Sequence, residues 1–370
     1  MTDTEPTQTD LEAQIGAYAE RLFGTALAAF EAATVSLGRE LGLYDHLVTS
    51  DGATPLQLAK RAGVHPRYAR EWLEQQAAAG LIDLAEDAED PDHRRFALSA
   101  AAQECLLRPE SLASIGPLFD FLPSLGRVFP TLVDVCRTGG GIPYSDYGVH
   151  DAQGDFNRPA FLHLLATDWL PGVPGLADRL AAGPTRLAEL GCGVGWAAIA
   201  IAQMWPHVQV DGFDNDEASI AAARKHTAEA GVSDRVHFEV VDVTAAPPQR
   251  VQHGTYDAVL AFEMIHDLAR PHAALATMRA LGTSDAVHLV IDEKTAEVFE
   301  APTENPVERF FYAASVLHCL PVGMADSPSA GTGTVMRPAT LQGYAEQAGF
   351  SAVEVLPIEH DMFRFYQLVV

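Results

Sequence analysis

The stretch Leu187-Ala188-Glu189-Leu190-Gly191-Cys192-Gly193-Val194-Gly195-Trp196 constrains this chain more than any other. It reads as a short apolar strand ending in an acid, then a glycine-rich turn, then an apolar helix through Ala197-Ala198-Ile199-Ala200-Ile201-Ala202. Glycines at such a turn remove the Cβ atoms that would keep a ligand off the backbone. The helix that follows offers free N–H groups and the positive end of its dipole. A dinucleotide fingerprint, G-x-G-x-x-G, would put its third glycine where this chain has Trp196. A nucleotide-dependent oxidoreductase is therefore disfavoured.

Three downstream segments repeat the pattern of a strand ending in an acid. Val208 to Asp214 is one, and Asp214 lies 23 positions past Gly191, near the roughly 20 expected for a carboxylate on a ribose diol. Val236 to Val243 is a second, with Asp242 near its end. Tyr256 to Phe262 is a third. The E-x-G-x-G-x-G turn with these strand ends, in this order, resembles the class I S-adenosylmethionine-dependent methyltransferases. The resemblance implies a doubly wound, Rossmann-like α/β domain whose seven-stranded sheet has an antiparallel last strand. It implies S-adenosyl-L-methionine as cofactor, with Gly191, Gly193, Gly195 and Phe262 holding the methionine moiety through backbone and Glu189 meeting its ammonium. Asp214 and Asn215 would read the ribose, and Asp242 and Val243 the adenine.

The chain has 370 residues, which suggests two domains or one with an extension. No apolar run approaches the ~18 residues that span a bilayer, and Met1-Thr2-Asp3-Thr4-Glu5-Pro6 lacks the basic and apolar regions of a secretory signal. Cys105, Cys136, Cys192 and Cys319 form no C-x-x-C pair and read as reduced thiols of a cytoplasmic protein. A net charge of −26 repels phosphate backbones and anionic lipid, which argues against nucleic acid as acceptor and against a membrane partner.

Residues 1–10 read as a disordered tail. From Leu11 to Leu47 the pattern is that of two helices, with Ile15, Tyr18, Leu22, Phe23, Leu27 and Phe30 on an apolar stripe. Ala53 to Ser99 reads as a winged helix, with a second helix from His65 to Ala79 and wing strands near Leu81–Leu84 and Arg95–Leu98. That second helix carries two Arg and two Glu, and the wing is acidic, which speaks against DNA recognition. Residues 11–100 thus make a winged-helix domain, 101–182 a helical connector and lid, and 183–370 the methyltransferase domain. Many small-molecule O-methyltransferases carry such an N-terminal module, so the resemblance implies a homodimer through the N-terminal helices. In the glycine-rich loop Thr138 to Gly148, Tyr144 and Tyr147 are candidates to touch cofactor. His163, Trp169 and His318 are candidates for a substrate pocket.

Transfer from a sulfonium needs alignment of donor and acceptor and exclusion of water. A hydroxyl acceptor also benefits from a base. His266, in Phe262-Glu263-Met264-Ile265-His266-Asp267, follows the fourth strand at the carboxyl edge of the sheet, where open α/β folds bind ligands. It resembles the His-Asp pair of plant-type O-methyltransferases, whose histidine is the general base. Glu293, beside Asp292, stands where that family has an orienting acid. The plant enzymes' second flanking acid has no counterpart near Gly331 to Thr334. No metal is expected, since no Cys/His cluster is present. The expected function is O-methylation of a small molecule. N- or C-methylation by proximity alone, and a ligand-sensing DNA-binding regulator, remain open.

Overall fold

A computed structural model describes residues 7–49, 51–245 and 254–370, and these divide into two units, Met1–Pro123 and Ser124–Val370. The stretch expected as a connector is shared between the two units.

The first unit opens with α1 (Gln8–Glu40), one helix of 33 residues where two were expected. It begins inside the expected tail because Thr7 and Asp10 form a reciprocal capping box; residues 1–6 of that tail lie outside the described residues. Only Val35, Ser36 and Gly38 of α1 are buried. The C-terminal end packs on α3 (Pro66–Ala78), where Trp72 donates its indole N–H to the Thr34 carbonyl at 3.0 Å. Between them α2 (Pro55–Ala62) starts on a second capping box, Thr54 with Gln57, and stops at left-handed Gly63. Strands β1 (Asp83–Glu86) and β2 (Arg95–Ala97) pair antiparallel as the wing. Tyr44, Leu47, Leu58, Leu73 and Phe96 form the centre of this unit's core. Helices α4 (Ala100–Leu107) and α5 (Gly116–Asp120) close the unit, and Arg39 grips Asp120 through two bonds of 2.8 and 2.7 Å.

The second unit begins near the start of α6 (Leu122–Thr138) and continues through α7 (Tyr144–Tyr147) and α8 (His150–Ala160). A π-helical segment (Phe161–Trp169) and α9 (Leu176–Ala182) lead into the sheet. Its elements are β3 (Thr185–Leu190), α10 (Trp196–Met204), β4 (Val208–Asp214), α11 (Glu217–Glu229), β5 (Val236–Val240), β6 (Tyr256–Phe262), α12 (Pro271–Leu281) and β7 (Gly282–Glu293). Then come α13 (Pro306–Ala314), α14 (Leu320–Gly323), α15 (Pro338–Gln347), β8 (Ala352–Val355) and β9 (Phe363–Val369).

The sheet has seven strands in the order β5-β4-β3-β6-β7-β9-β8. The first five are parallel, and β9 inserts antiparallel between β7 and β8. The near-continuous apolar runs of β3, β6 and β7 follow from helices covering both faces. Strand order reverses between β3 and β6, which opens a crevice at their carboxyl ends. Two strands differ from expectation. β5 ends at Val240, so Asp242 sits in the loop beyond it, and β7 starts four residues before Ala286.

Gly212 on β4 shows how tightly this crevice is packed. A Cβ there would lie 2.5 Å from the Phe238 ring and 3.0 Å from the Cys192 side chain. Gly212→Ala should therefore overpack the core beneath the glycine turn and destabilise the fold by about 1–3 kcal/mol. Urea unfolding of the two proteins measures this; equal midpoints would mean that the Phe238 ring has room to move.

Candidate active site and cofactor cradle

The glycine turn is held by the tip of β4. Gly191 and Cys192 both donate to the Phe213 carbonyl, at 2.8 and 3.1 Å, and Gly193 donates to Asp214 Oδ2 at 2.9 Å. Gly191, Gly193 and Gly195 have φ of +67°, +50° and +85°, left-handed values that side chains other than glycine rarely adopt. A Cβ at Gly191 would strike Met264 and one at Gly195 the Phe238 ring, whereas one at Gly193 would meet nothing within 4 Å. The middle of the turn thus presents bare backbone to open space. Trp196 stands where a dinucleotide site needs glycine. Its ring stacks on His226 at 4.3 Å, with the Arg158 guanidinium 4.2 Å from it.

In front of the turn lies a cavity of about 410 Å³. Glu189, Asp214, Asp216, Asp242, Glu263, Asp267 and Asp326 line it, and among the described residues no Lys or Arg does. Glu189 is 2% exposed and its Oε2 has no hydrogen-bond partner. Burial, reinforced by Asp214, pushes its carboxyl up to about 8, against a backbone bond from Ala198. Burial raises the Asp214 carboxyl as well, against the N–H groups of Asp216 and Gly193. Asp242 folds back to accept from the N–H and hydroxyl of Thr244, at 2.8 and 2.6 Å. Tyr144 lines the same cavity and donates to Gln153 Oε1 at 3.1 Å.

These residues fit S-adenosyl-L-methionine. A buried carboxyl at the end of β3 with one oxygen unpartnered suits an ammonium, and bare backbone at Gly193 suits a ligand lying on main chain. An acidic wall without cationic side chains suits a sulfonium and opposes a pyrophosphate. Of the residues expected at the cofactor, Glu189, Gly191, Gly193, Gly195, Asp214, Asn215, Asp242, Val243, Phe262 and Tyr144 all line the cavity.

Behind the tip of β6 the arrangement differs from expectation. The His266 ring is 2% exposed and is absent from the cavity wall. Nδ1 donates to Asp292 Oδ1 at 2.9 Å and lies 2.9 Å from Glu293 Oε2, while Nε2 lies 3.2 Å from Asp267 Oδ1. Burial alone would lower the imidazole pKa, but Glu293, Asp292 and Asp267 together raise it well above the ordinary value. Both ring nitrogens of His266 thus face carboxylates, which favour its protonated form. Burial, with Asp292 adding, raises the Glu293 carboxyl despite the neighbouring imidazolium. Glu293 contacts the histidine as expected, jointly with Asp292. Among the described residues, donor atoms of His266, Asp292 and Glu293, and of His266, Asp267 and Cys319, lie within 4.8 Å of one another. Of the two 2.9 Å separations around Nδ1, the one to Asp292 Oδ1 is a hydrogen bond, while Glu293 Oε2 is an ion-pair contact without one.

Four more expected site residues lie elsewhere. Tyr147 is fully buried and donates to the Leu317 carbonyl at 3.0 Å. His318 is buried against the rings of Tyr144 and Tyr147. Trp169 belongs to the core, packed on Phe363, Phe365 and His360. His163 is exposed on the π-helical segment and lies outside the cavity wall. Conversely, Glu263, Asp267 and Met264 line the cavity without having been expected as site residues. Glu263 and Asp267 flank His266 in the very segment read for its histidine, immediately after a strand whose carboxyl end faces the crevice.

Comparison with known proteins agrees with this geometry. Residues 184–321 match the methyltransferase domain family, and residues 29–108 match the Rv2258c-like winged HTH domain. A ubiquinone biosynthesis O-methyltransferase of Pseudomonas aeruginosa (strain LESB58) is 23% identical over 222 residues, covering 59% of this chain and 84% of that protein. The mitomycin 7-O-methyltransferase MmcR superposes with a TM-score of 0.72 at 18% identity, covering 97% of this chain and 99% of that one. Human N-acetylserotonin methyltransferase, solved with S-adenosylmethionine, superposes with a TM-score of 0.68 at 14% identity, covering 100% and 99%. The chain is an S-adenosylmethionine-dependent methyltransferase whose methyltransferase domain follows an N-terminal winged helix-turn-helix domain.

Asp214 both braces the turn and faces the cavity. Asp214→Ala should weaken S-adenosylhomocysteine binding by ~1.5–3 kcal/mol, the loss of charge-assisted hydrogen bonds. Calorimetric titration giving wild-type affinity would remove Asp214 from the cofactor site.

Proposed function

We propose that this chain transfers the methyl group of S-adenosyl-L-methionine to a hydroxyl of a small-molecule acceptor, and that it works as a homodimer. The observation that carries the reading is the acid-lined cavity at the sheet's switch point. Glu189, Gly193 and Asp214 would hold the cofactor there. Glu263, Met264 and Asp267, which follow the tip of neighbouring β6, line the same cavity. S-adenosyl-L-methionine, when bound, supplies a methyl group already attached to a good leaving group, so alignment and water exclusion are the protein's main tasks. O-methyltransferases among the relatives support oxygen as the accepting atom.

The winged helix-turn-helix match raises DNA binding as a second reading. Its basic side chains are engaged within their own unit. Arg67 pairs with Glu71, Arg70 with Asp92, Arg94 with Glu74 and Asp87, and Arg95 with Glu86. Few are left for phosphates, so non-specific DNA affinity should be weak even at low salt. A gel shift with sequence-specific retardation would favour the regulator instead.

To test the enzymatic reading, the protein is incubated with S-adenosylmethionine carrying a deuterated methyl group and a metabolite extract of the source cells. The expected product is a deuteriomethyl ether identified by mass spectrometry. Labelled amines alone would make it an N-methyltransferase, and no labelled product despite cofactor binding would remove the catalytic reading.

The dimer reading rests on α1. Leu11, Ile15, Tyr18 and Leu22 repeat at helical spacing and all are exposed, as are Phe23 at 70% and Phe30 at 76%. So much apolar surface along one helix marks an interface. Light scattering after gel filtration should give a dimer mass, and the double variant Phe23→Glu, Phe30→Glu should shift it toward monomer. A wild-type monomer at micromolar concentration would overturn the proposal.

A further inference from the structure

We propose that the acceptor is an uncharged or amine-bearing hydroxyl compound, and that the site itself turns away molecules carrying a carboxylate, phosphate or sulfate. The inference rests on the O-methylation reading and adds to it the charge class of the substrate. In methyl transfer the acceptor oxygen approaches the methyl carbon along the line of the breaking carbon–sulfur bond. The reacting end of the acceptor therefore enters the cavity that holds the cofactor. Any charge it carries there acts at close range, in a site from which water is expelled.

Seven carboxyls line that cavity, and among the described residues only two of them are ion-paired. Asp267 lies 3.2 Å from His266, and Asp242 lies 3.6 Å from Arg270, which is itself outside the wall. The others have neutral donors or none. Asp214 accepts from the N–H groups of Gly193 and Asp216, both at 2.9 Å. Asp216 accepts from the N–H and hydroxyl of Ser219, both at 2.7 Å. Glu263 accepts from the Asn157 amide at 3.2 Å. Glu189 Oε2 is buried without a partner, and Asp326 is exposed.

The cofactor offsets only part of this. Its sulfonium and ammonium are positive and its carboxylate is negative, so it brings one net positive charge. An anionic acceptor would still lose its water and meet like charge. Where burial keeps a cavity carboxyl protonated, it would meet a neutral acid, and again no cation to replace the lost hydration. Two nearby guanidiniums are committed elsewhere. Arg158 lies over the Trp196 ring at 4.2 Å, and Arg270 donates to Thr244 at 2.8 Å. His150, which lines the cavity, stands 3.6 Å from Asp151. An amine meets the reverse situation, with acids on the wall and the rings of Tyr144, Phe161, Trp196 and Phe262 beside them. A neutral alcohol or phenol is indifferent to the field. Selection of this kind works by rejecting the wrong charge, before any fit to the right shape.

The test has two stages, both on the full-length protein. First, wild type is incubated with deuteriomethyl cofactor and the metabolite extract, and the labelled product identifies the acceptor. That acceptor should bear no acidic group. A carboxylated, phosphorylated or sulfated acceptor would overturn the proposal and leave O-methylation standing. Protein that binds S-adenosylhomocysteine but forms no labelled product would sink the O-methylation reading, and this inference with it.

Second, two synthetic congeners of that acceptor are compared, one with a carboxamide and one with a carboxylate at the same position away from the hydroxyl. The two groups are nearly equal in size and differ in charge. The carboxamide should have a kcat/KM about tenfold or more above that of the carboxylate. The ratio should shrink as salt is raised, and it should shrink in Asp326→Lys and in Glu263→Gln. Each variant is judged by a ratio of two acceptors, so a general loss of activity cancels. Equal kcat/KM for the two congeners in wild type would overturn the proposal. So would a ratio that neither salt nor either variant moves, because shape rather than charge would then set it.

Discussion

The crevice of this enzyme depends on three hydrogen bonds between the glycine turn and the tip of β4. Two N–H groups, from Gly191 and Cys192, converge on one carbonyl, and a third, from Gly193, reaches the Asp214 carboxylate. They fix a left-handed backbone that would otherwise have many conformations to lose. They also tie the part that holds the cofactor to the strand whose terminal acid faces the same space. The neighbouring rings follow from that constraint. Phe238 fills the gap beneath Gly195 and Gly212, and Met264 closes on Gly191, so the turn can move only if β5 and the segment after β6 move too. Preorganisation at this level lets alignment alone carry much of the catalysis.

The second constraint is electrostatic. Seven carboxyl side chains line one cavity, with no Lys or Arg beside them among the described residues. Ordinary proteins avoid burying acids without partners, because desolvation favours the neutral form. Here the penalty appears as raised proton affinity at Glu189, Asp214 and Glu263. A ligand carrying positive charge relieves it, so the same surface that is unfavourable when water-filled becomes complementary when a sulfonium and an ammonium enter. That balance makes the cavity selective by charge before any shape is matched.

Much of this was legible in the sequence, and the failures have a common cause. The strands β4 and β6 lie at the residues that apolar runs and terminal acids marked, because such runs are set by burial on both sheet faces. The cofactor turn was legible because glycine spacing is itself a statement about backbone shape. Side-chain partners across the sheet were not. Whether His266 faces solvent, cavity or core depends on Asp292 and Glu293, which arrive from β7 more than 20 residues later. Trp169 and His318 looked like pocket residues from their place in the chain, yet their surroundings are rings contributed by distant segments. The α1 helix ran longer than expected because Thr7 and Asp10 supply a cap that a polar tail conceals.

The histidine and its neighbouring acids illustrate why position in a motif does not determine a role. An imidazole can act as a base only while one nitrogen is free and the ring is neutral. Three carboxylates face the His266 ring and raise its proton affinity well above the ordinary value despite burial. What the ring then offers is charge compensation, which keeps Asp267 ionised at the cavity wall. Glu263, three residues earlier, has a neutral amide where Asp267 has a cation, and keeps the proton affinity that Asp267 loses. The two acids of one short turn after β6 thus differ in proton affinity because their partners differ in charge rather than because the side chains differ in kind.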